Sequence, residues 1–520
     1  MSDTSNTMLS RVNELEHSSL NKEKRIIYDK MEHTDENMFI TGKAGCGKSY
    51  LLNYFVNHTA KKTVVVAPTG IAALNVGGQT IHSFFQLKLE PYHDLEDIKR
   101  EGISGRQRML MRELDVLIVD EVSMVSSNMM DAMDLKMRMA NLNNQPFGGK
   151  QVILFGDLYQ LPPVISDKEA ERCIEDKYGS KLFFNAPAFR HTTLHRYILN
   201  TVFRQDDEEF VRILNNIRIG NITNSDLDTL NTRCGALSRL ARHEKYVTIT
   251  PRKDRAAAIN QENLNKIPKP EYTYYASIEG HFGEKTYPTD KELKLKVGAQ
   301  IMMLVNDVPD TNGHRRWVNG SLGVISELTS SSVKVMINKV EYSIDRYAWN
   351  KKTYEYDPTT KRLTKKVVAS FKQYPLCLAY ALTIHKAQGQ TYQSVAIDMG
   401  NGAFDTGQTY VALSRCVSLD NLYLLTPISS RDIKVDQEVL NYMGDSDSYG
   451  DSSVDVYKPG QRQIYDYDDD DELEHDDEDS FDYDNDDSDD NSDYDDEDSN
   501  YDTDDVNSEY YDPDLDDLPF

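Results

Sequence analysis

Gly42-Lys43-Ala44-Gly45-Cys46-Gly47-Lys48-Ser49 is where the sequence carries most chemistry in least space. Glycines at that spacing let backbone N–H groups curl round phosphate oxygens, and a helix starting just downstream adds partial positive charge. Lys48 is placed to reach β- and γ-phosphates, and the Ser49 hydroxyl to ligate Mg²⁺. The context is the one this pattern needs, because an apolar run (MFI, 38–40) precedes it and YLLNYFV follows from Tyr50.

Leu117-Ile118-Val119-Asp120-Glu121 delivers two carboxylates at the end of another apolar run. Asp120 is suited to hold Mg²⁺ through water, and Glu121 to orient and deprotonate an attacking water. Alone, such a pair often only solvates a strand end; downstream of a phosphate loop it gains meaning. Gln160, in GDLYQLPP, offers a neutral amide able to sense a γ-phosphate. Arg204 (VFRQ) and Arg415 (YVALSR) are the charged candidates, since phosphoryl transfer needs external positive charge and arginine's planar fork supplies it. If those arginines belong to a different domain from Lys48, ATP lies in a cleft between domains, and hydrolysis changes how strongly the halves attract each other.

These residues need elements to hold them. Runs at 38–40, 63–66, 116–119 and 151–155 read as buried strands, each followed by small or polar residues and then a candidate helix. That rhythm predicts an α/β fold with a parallel sheet flanked by helices, its ligands at the carboxyl ends of the strands. A second block spans about 201–427, with strands at 246–250, 395–399 and 422–425. Between its halves, about 298–374, alternating segments broken by Asn-Gly and Asp-Pro suggest a small antiparallel β insertion. The methionines from Met124 to Met139 fall at near-helical spacing and read as core filling.

The 520 residues carry 86 acidic against 58 basic side chains, a net charge of −28. Residues 463–520 alone hold 30 of the acids and no Lys or Arg, so the rest balances at +2 and can carry a basic groove. No run approaches the ~18 apolar residues of a membrane span, which excludes a membrane partner. The first 20 residues lack the apolar core of a secretory signal. Five scattered cysteines without a C-x-x-C pair argue against disulfides or zinc and for a reducing cytoplasm. Past about residue 443 the composition is too poor in aliphatics to offset ordering entropy, and disorder is expected.

In this order, the motifs resemble superfamily 1B DNA helicases, most closely the petite-integration-frequency (Pif-type) group and more distantly RecD and Dda. The likeness spans about 20–427. It includes APTGIAA (67–73), GGQTIHSFF (77–85), DEVSMV (120–125), GDLYQLPPV (156–164), VFRQ (202–205), LNNIRIG (214–220), PLCLAYALTIHKAQGQT (375–391) and GQTYVALSR (407–415). The resemblance implies two RecA-like P-loop NTPase domains, at 20–200 and 201–442, after a flexible stretch at 1–19 and before a disordered acidic tail at 443–520. It also implies a wedge near 87–112 and an SH3-like β insertion near 318–371. ATP and Mg²⁺ are the implied cofactors, with Tyr50 and Gly389 joining Gly42–Ser49 around the nucleotide. Pro68, Thr69, Gly70 and His82 match the first strand-contacting motifs, and Thr383, His385 and Lys386 the later one. Hydroxyls, backbone N–H groups and a cation suit phosphates there, and His82 and Phe84 offer stacking faces, although Phe84 and Phe85 read more readily as core than as a base platform.

The implied activity is ATP-driven 5′→3′ unwinding by a protein, taken as monomeric, that binds single-stranded and duplex or fork DNA. A translocase that strips proteins from single strands, or a scaffold acting through its acidic tail, are the competing readings. Two positions depart from the family. Lys24 stands where a glutamine reads the adenine edge, and lysine has donors but no acceptor, which predicts weakened preference for adenine. Cys46 replaces the usual threonine, in a packing role. The last seven residues run from Asp514 to Leu518-Pro519-Phe520 and resemble the tip of bacterial single-stranded-DNA-binding proteins. That likeness implies shared genome-maintenance partners and a bacterial or phage source.

Overall fold

The computed structural model describes residues 20–457, apart from 89–94, Ser166, His191, Asp206, 240–244, 309–314, Pro358 and 445–453. The stretch at 1–19, part of the expected wedge, and the acidic tail with its Asp514-to-Phe520 tip lie outside the described residues.

Six runs, each too short to stand alone, combine into one parallel sheet. β1 (Asn37–Gly42), β2 (Thr63–Ala67), β3 (Gln79–Thr80), β4 (Val116–Val119), β5 (Gln151–Phe155) and β6 (Leu194–Leu199) lie in the order β6–β1–β5–β4–β2–β3. Every residue of β4 and β5 is buried, as a sheet covered on both faces requires. Alternation splits the side chains: Met38 and Ile40 face a core with Leu51, Phe55 and Val65. Phe39 faces the opposite core, with Leu117, Val119 and Leu154. The methionine-rich helix Ser127–Asn141 fills that second core through Met130, Met133 and Met137, all fully buried. Phe84 and Phe85 are also core rather than exposed stacking faces.

The second block forms its own parallel sheet of four strands, Ala381–Thr383, Val247–Thr250, Val395–Ile397 and Leu422–Leu424, in that order. Its core holds Ile213, Leu214, Ile249, Ile384 and Val411. Two RecA-like α/β halves are therefore present, both with their loaded loops at strand carboxyl ends.

The antiparallel region is wider than the 318–371 expected. Its strands begin at Glu271–Tyr275, which pairs with Glu292–Lys296, and end at Leu376–Leu378, which pairs back onto Gln300–Met303 in a second sheet. From it a long hairpin, Tyr347–Asp357 paired with Arg362–Gln373, reaches the first half. Tyr354 is buried in the first core, and the Val65 N–H donates to its Oη at 2.9 Å. The physical reason is that β3 has only two residues. It leaves the Val65 N–H of β2 without a ladder partner, and an unpaired buried amide is costly. Lys365 Nζ adds a bond to Gly77 O at 2.6 Å, and Arg106 pairs with Glu355.

Two further boundaries need correction. Helix Gln437–Met443 follows the second sheet in sequence, yet Val439, Tyr442 and Met443 pack into the first core. Their spacing gives the helix one apolar face, and Tyr442 stacks on Phe184 at 3.9 Å. The residues from 443 on are not uniformly without structure either. Met443 is fully buried, and Val454–Tyr457 adds antiparallel to β6, whose outer edge leaves N–H and C=O groups open to another strand. Within 87–112 the described residues include the helix Leu95–Glu101 and most of Gly105–Glu113, with Ile98 packed on Ala132 and Leu135.

Candidate nucleotide site and strand-binding face

β1 ends at Gly42, and helix Lys48–His58 begins after Gly47, whose left-handed φ of 86° turns the chain into it. Ser49 and Tyr50 are exposed at the first turn, while Ala44 and Cys46 are buried beneath the loop. The Lys48 ammonium donates to Gly42 O at 2.6 Å and Lys43 O at 3.3 Å. Gly45 is as close to its neighbour as a residue can be: a Cβ there would lie 2.5 Å from Arg204 Cβ. Phe203 N–H donates to Gly45 O at 3.0 Å beside it. Lys24, buried, sets its Nζ 4.0 Å over the Phe203 ring and 3.0 Å from where a Gly47 Cβ would be. Burial pushes its pKa down.

β4 delivers Asp120 and Glu121 into the same region, and Glu121 sits at a left-handed φ of 51°, uncommon without a glycine. Burial raises both carboxyls; for Asp120 the neighbouring Glu121 adds to the push, and Lys48 opposes it in both. Asp120 makes no ion pair among the described residues. No cluster of three or more His, Cys, Asp or Glu among them could hold a metal unaided. Asp120 and the exposed Ser49 hydroxyl offer oxygen donors of the kind Mg²⁺ takes beside water and substrate oxygens.

The loop after β5 carries Asp157 and Gln160. Gln160 Nε2 donates to Asp157 Oδ2 at 3.2 Å, and Arg218, from helix Glu208–Arg218, donates to Asp157 Oδ1 at 3.1 Å. Arg218 and Asp157 are 2% and 0% exposed, so this ion pair crosses between the halves fully buried. Burial alone would raise Asp157, but Arg218, Lys48 and the Gln160 bond outweigh it and hold the carboxyl below its ordinary range. Gln388 Nε2 donates both to Glu121 Oε2 at 3.2 Å and to Gln160 Oε1 at 3.3 Å. Ala44 N–H donates to Tyr410 Oη at 2.9 Å.

Arg204 and Arg415 meet this cluster from the other side. Arg204 donates to Ser414 O at 3.1 Å and Gly389 O at 3.3 Å. Arg415 is 1% exposed and donates to Val411 O, Gln390 O and Ser414 Oγ, all neutral. Burial, with Arg204 nearby, pushes its pKa down to about 9, and Glu121 pulls the other way. A guanidinium stays protonated in proteins, so this is a buried cation short of an anion. The structure therefore brings Lys48, Glu121, Gln160, Arg204, Arg415, Gly45 and Gly389 into one seam.

The expected strand-contacting residues lie on the corresponding ends of the two sheets. Pro68 follows β2, Thr69 caps helix Gly70–Asn75 by accepting from Ala72 N–H at 3.2 Å, and Gly70 abuts Thr286. His82 is half-buried, and burial lowers its pKa. Thr383 caps the short helix Ile384–Ala387 by accepting from Lys386 N–H at 3.2 Å. His385 is likewise lowered by burial, while Lys386 is exposed.

A fold of two RecA-like halves with a phosphate loop on one and buried guanidinium charge on the other defines a P-loop NTPase of the two-lobed, nucleic-acid-translocating class. The PIF1-like helicase family matches residues 19–228. The chain is 30% identical to the ATP-dependent DNA helicase Pif1 of Bdellovibrio bacteriovorus, over 78% of this chain and 88% of that one. It is similar in structure to Bacteroides sp Pif1 in complex with ADP-AlF4, with TM-score 0.74 and 34% identity over 83% of this chain and 98% of that one. Bacteroides Pif1 bound to ssDNA matches with TM-score 0.59 and 35% identity, over 82% and 96% of the two chains. The chain belongs to the PIF1-like helicase family.

Asp157, Arg218, Tyr410 and Gln388 are the site residues that sequence reasoning passed over. All four sit inside motifs quoted for other residues, and nothing local marks their long-range partners. Replacing Arg218 alone by Met strands a buried carboxylate and should lower unfolding stability by about 3–5 kcal/mol. A paired R218M/D157L change should recover most of it. Urea unfolding of the three chains checks this, and a single-variant loss below about 1 kcal/mol would refute it. Because Asp157 is held low, the pair's contribution is complete above about pH 4 and is lost as pH falls through the depressed value.

Proposed function

We propose that this chain, an ATP-dependent DNA helicase, moves 5′→3′ along single-stranded DNA and separates duplex or fork DNA ahead of it, acting as a monomer. The observation that carries the reading is the seam. The groups suited to bind and hydrolyse ATP stand on one sheet, and the buried Arg415, with no anionic hydrogen-bond partner among the described residues, comes from the other. Lys48 and the loop amides from Gly42 to Ser49 are the groups to hold the phosphates. Glu121 is the base that orients water and takes its proton, and Gln160 its amide companion. Arg204 and Arg415 supply charge as it develops on the transferring phosphoryl group. Mg²⁺, held by Ser49 and Asp120, would neutralise phosphate charge. With ATP present the second half is drawn in by its own arginines; after hydrolysis and release that attraction drops. Pro68, Thr69, Gly70 and His82 on one half, and Thr383, His385 and Lys386 on the other, then grip the strand in alternation.

Among the described residues no helix is long and apolar enough to cross a membrane. The Asp514-to-Phe520 tip supports a further contact, with the proteins that bind the tip of single-stranded-DNA-binding protein. Lys24, beside the loop at the place where adenine would be read, offers donors only, so the base should be weakly selected.

Unwinding of duplexes with a 5′ overhang but not a 3′ overhang, dependent on ATP and abolished by Lys48→Ala, is the expected result. Equal use of both overhangs, or unwinding without ATP, sinks the reading. GTP and CTP should support turnover within about tenfold of ATP, a discrimination of only ~1.4 kcal/mol. Strict ATP dependence would discard the role given to Lys24. Pull-down of tip-binding partners by the full chain should vanish when Phe520 is removed, and retention would end that proposal.

A further inference from the structure

One stretch, 383–390, touches everything the reaction needs from both ends. At its start Thr383, His385 and Lys386 are the strand-facing residues. At its end three consecutive residues hold the hydrolytic groups: Gln388 donates to Glu121 and Gln160, Gly389 O accepts from Arg204, and Gln390 O accepts from Arg415. A four-residue helix joins the two ends. Thr383 caps it by accepting from Lys386 N–H, and Gln388 N–H closes it on His385 O at 3.3 Å. Ile384 and Ala387 are fully buried and fasten it to the core beneath. So short a hydrogen-bonded unit cannot shift at Lys386 while staying still at Gln388.

We propose that Gln388 is the positioning residue through which strand occupancy controls Glu121, and that in the strand-free protein it restrains hydrolysis. Both N–H groups of its side-chain amide are spent on Glu121 and Gln160, while Gln160 spends an N–H on Asp157. One carboxylate oxygen of Glu121 and the amide oxygen of Gln160 are thereby engaged by protein. Phosphates seated on Thr383, His385 and Lys386 would move the unit and withdraw the amide, leaving Glu121 to accept from water. The inference rests on the reading of the chain as a DNA helicase.

ATPase rates with and without a single-stranded oligothymidylate, for the full-length wild type, Gln388→Ala and the volume-keeping Gln388→Met, test this. The strand-free rate should rise about fivefold in both variants, the scale of one lost hydrogen bond. The strand-bound rate, the KM for ATP and the affinity for the oligonucleotide should stay within about twofold of wild type, so that the stimulation ratio collapses. An unchanged ratio overturns the proposal, whether both rates fall, rise or stay. So does a fall carried by the strand-bound rate alone, which would make Gln388 an activator. A wild type that the oligonucleotide does not stimulate at all would instead count against the helicase reading itself.

Discussion

Among the described residues Arg415 is a cation buried without a carboxylate in hydrogen-bond contact, and the seam is arranged around that fact. Desolvating a charge costs several kcal/mol unless something of opposite sign comes close. Three neutral oxygens hold this guanidinium, with Glu121 of the other half among the groups that pull its pKa back up. A phosphate at the loop after β1 would satisfy it better than any protein group present. The seam is thus stable enough to form and incomplete enough to need its substrate, and the same guanidinium draws the halves together and stabilises the reacting phosphoryl group.

Such a seam works only if its two faces meet in register, and two glycines enforce this. A Cβ at Gly45 would collide with Arg204 Cβ at 2.5 Å, and one at Gly407, at φ 71°, with Gln160 O at 2.4 Å. Backbone therefore approaches backbone at both ends of the cluster, without flexible side chains to take up error. The hairpin that buries Tyr354 and the helix that buries Tyr442 tie second-half chain into the first core. They limit how far the halves can part, so small rearrangements at the seam are the ones available to hydrolysis.

What the sequence made legible was local. The phosphate loop, the Asp120-Glu121 pair and the strands beneath them are consecutive residues whose periodicity and punctuation suffice, and the family motifs supplied Arg204 and Arg415. What escaped was non-local. Arg218 reads as one more charged residue on an amphipathic helix, and only the fold shows it 2% exposed against Asp157. Tyr354 answers a vacancy in β2 created by the shortness of β3, which no window around Tyr354 reveals. The helix Gln437–Met443 has an evident apolar face, yet its sequence does not say which of two cores that face will join. Gln388 lay within a quoted motif, but its partners Glu121 and Gln160 belong to the other half of the chain.

The composition of the seam follows from the need to open again. An apolar interface of this size would gain roughly 25 cal/mol per Å² of buried surface and close for good. Here the central contacts are polar: Gln388 on Glu121, Ala44 on Tyr410, Arg218 on Asp157. Each net contribution is modest because water or phosphate offers nearly the same hydrogen bond. Exchange of partners, rather than loss of contact, then accompanies every change at the site. The Arg218–Asp157 pair, charged and fully buried, lacks such a substitute, and it is a contact that must persist while the others trade.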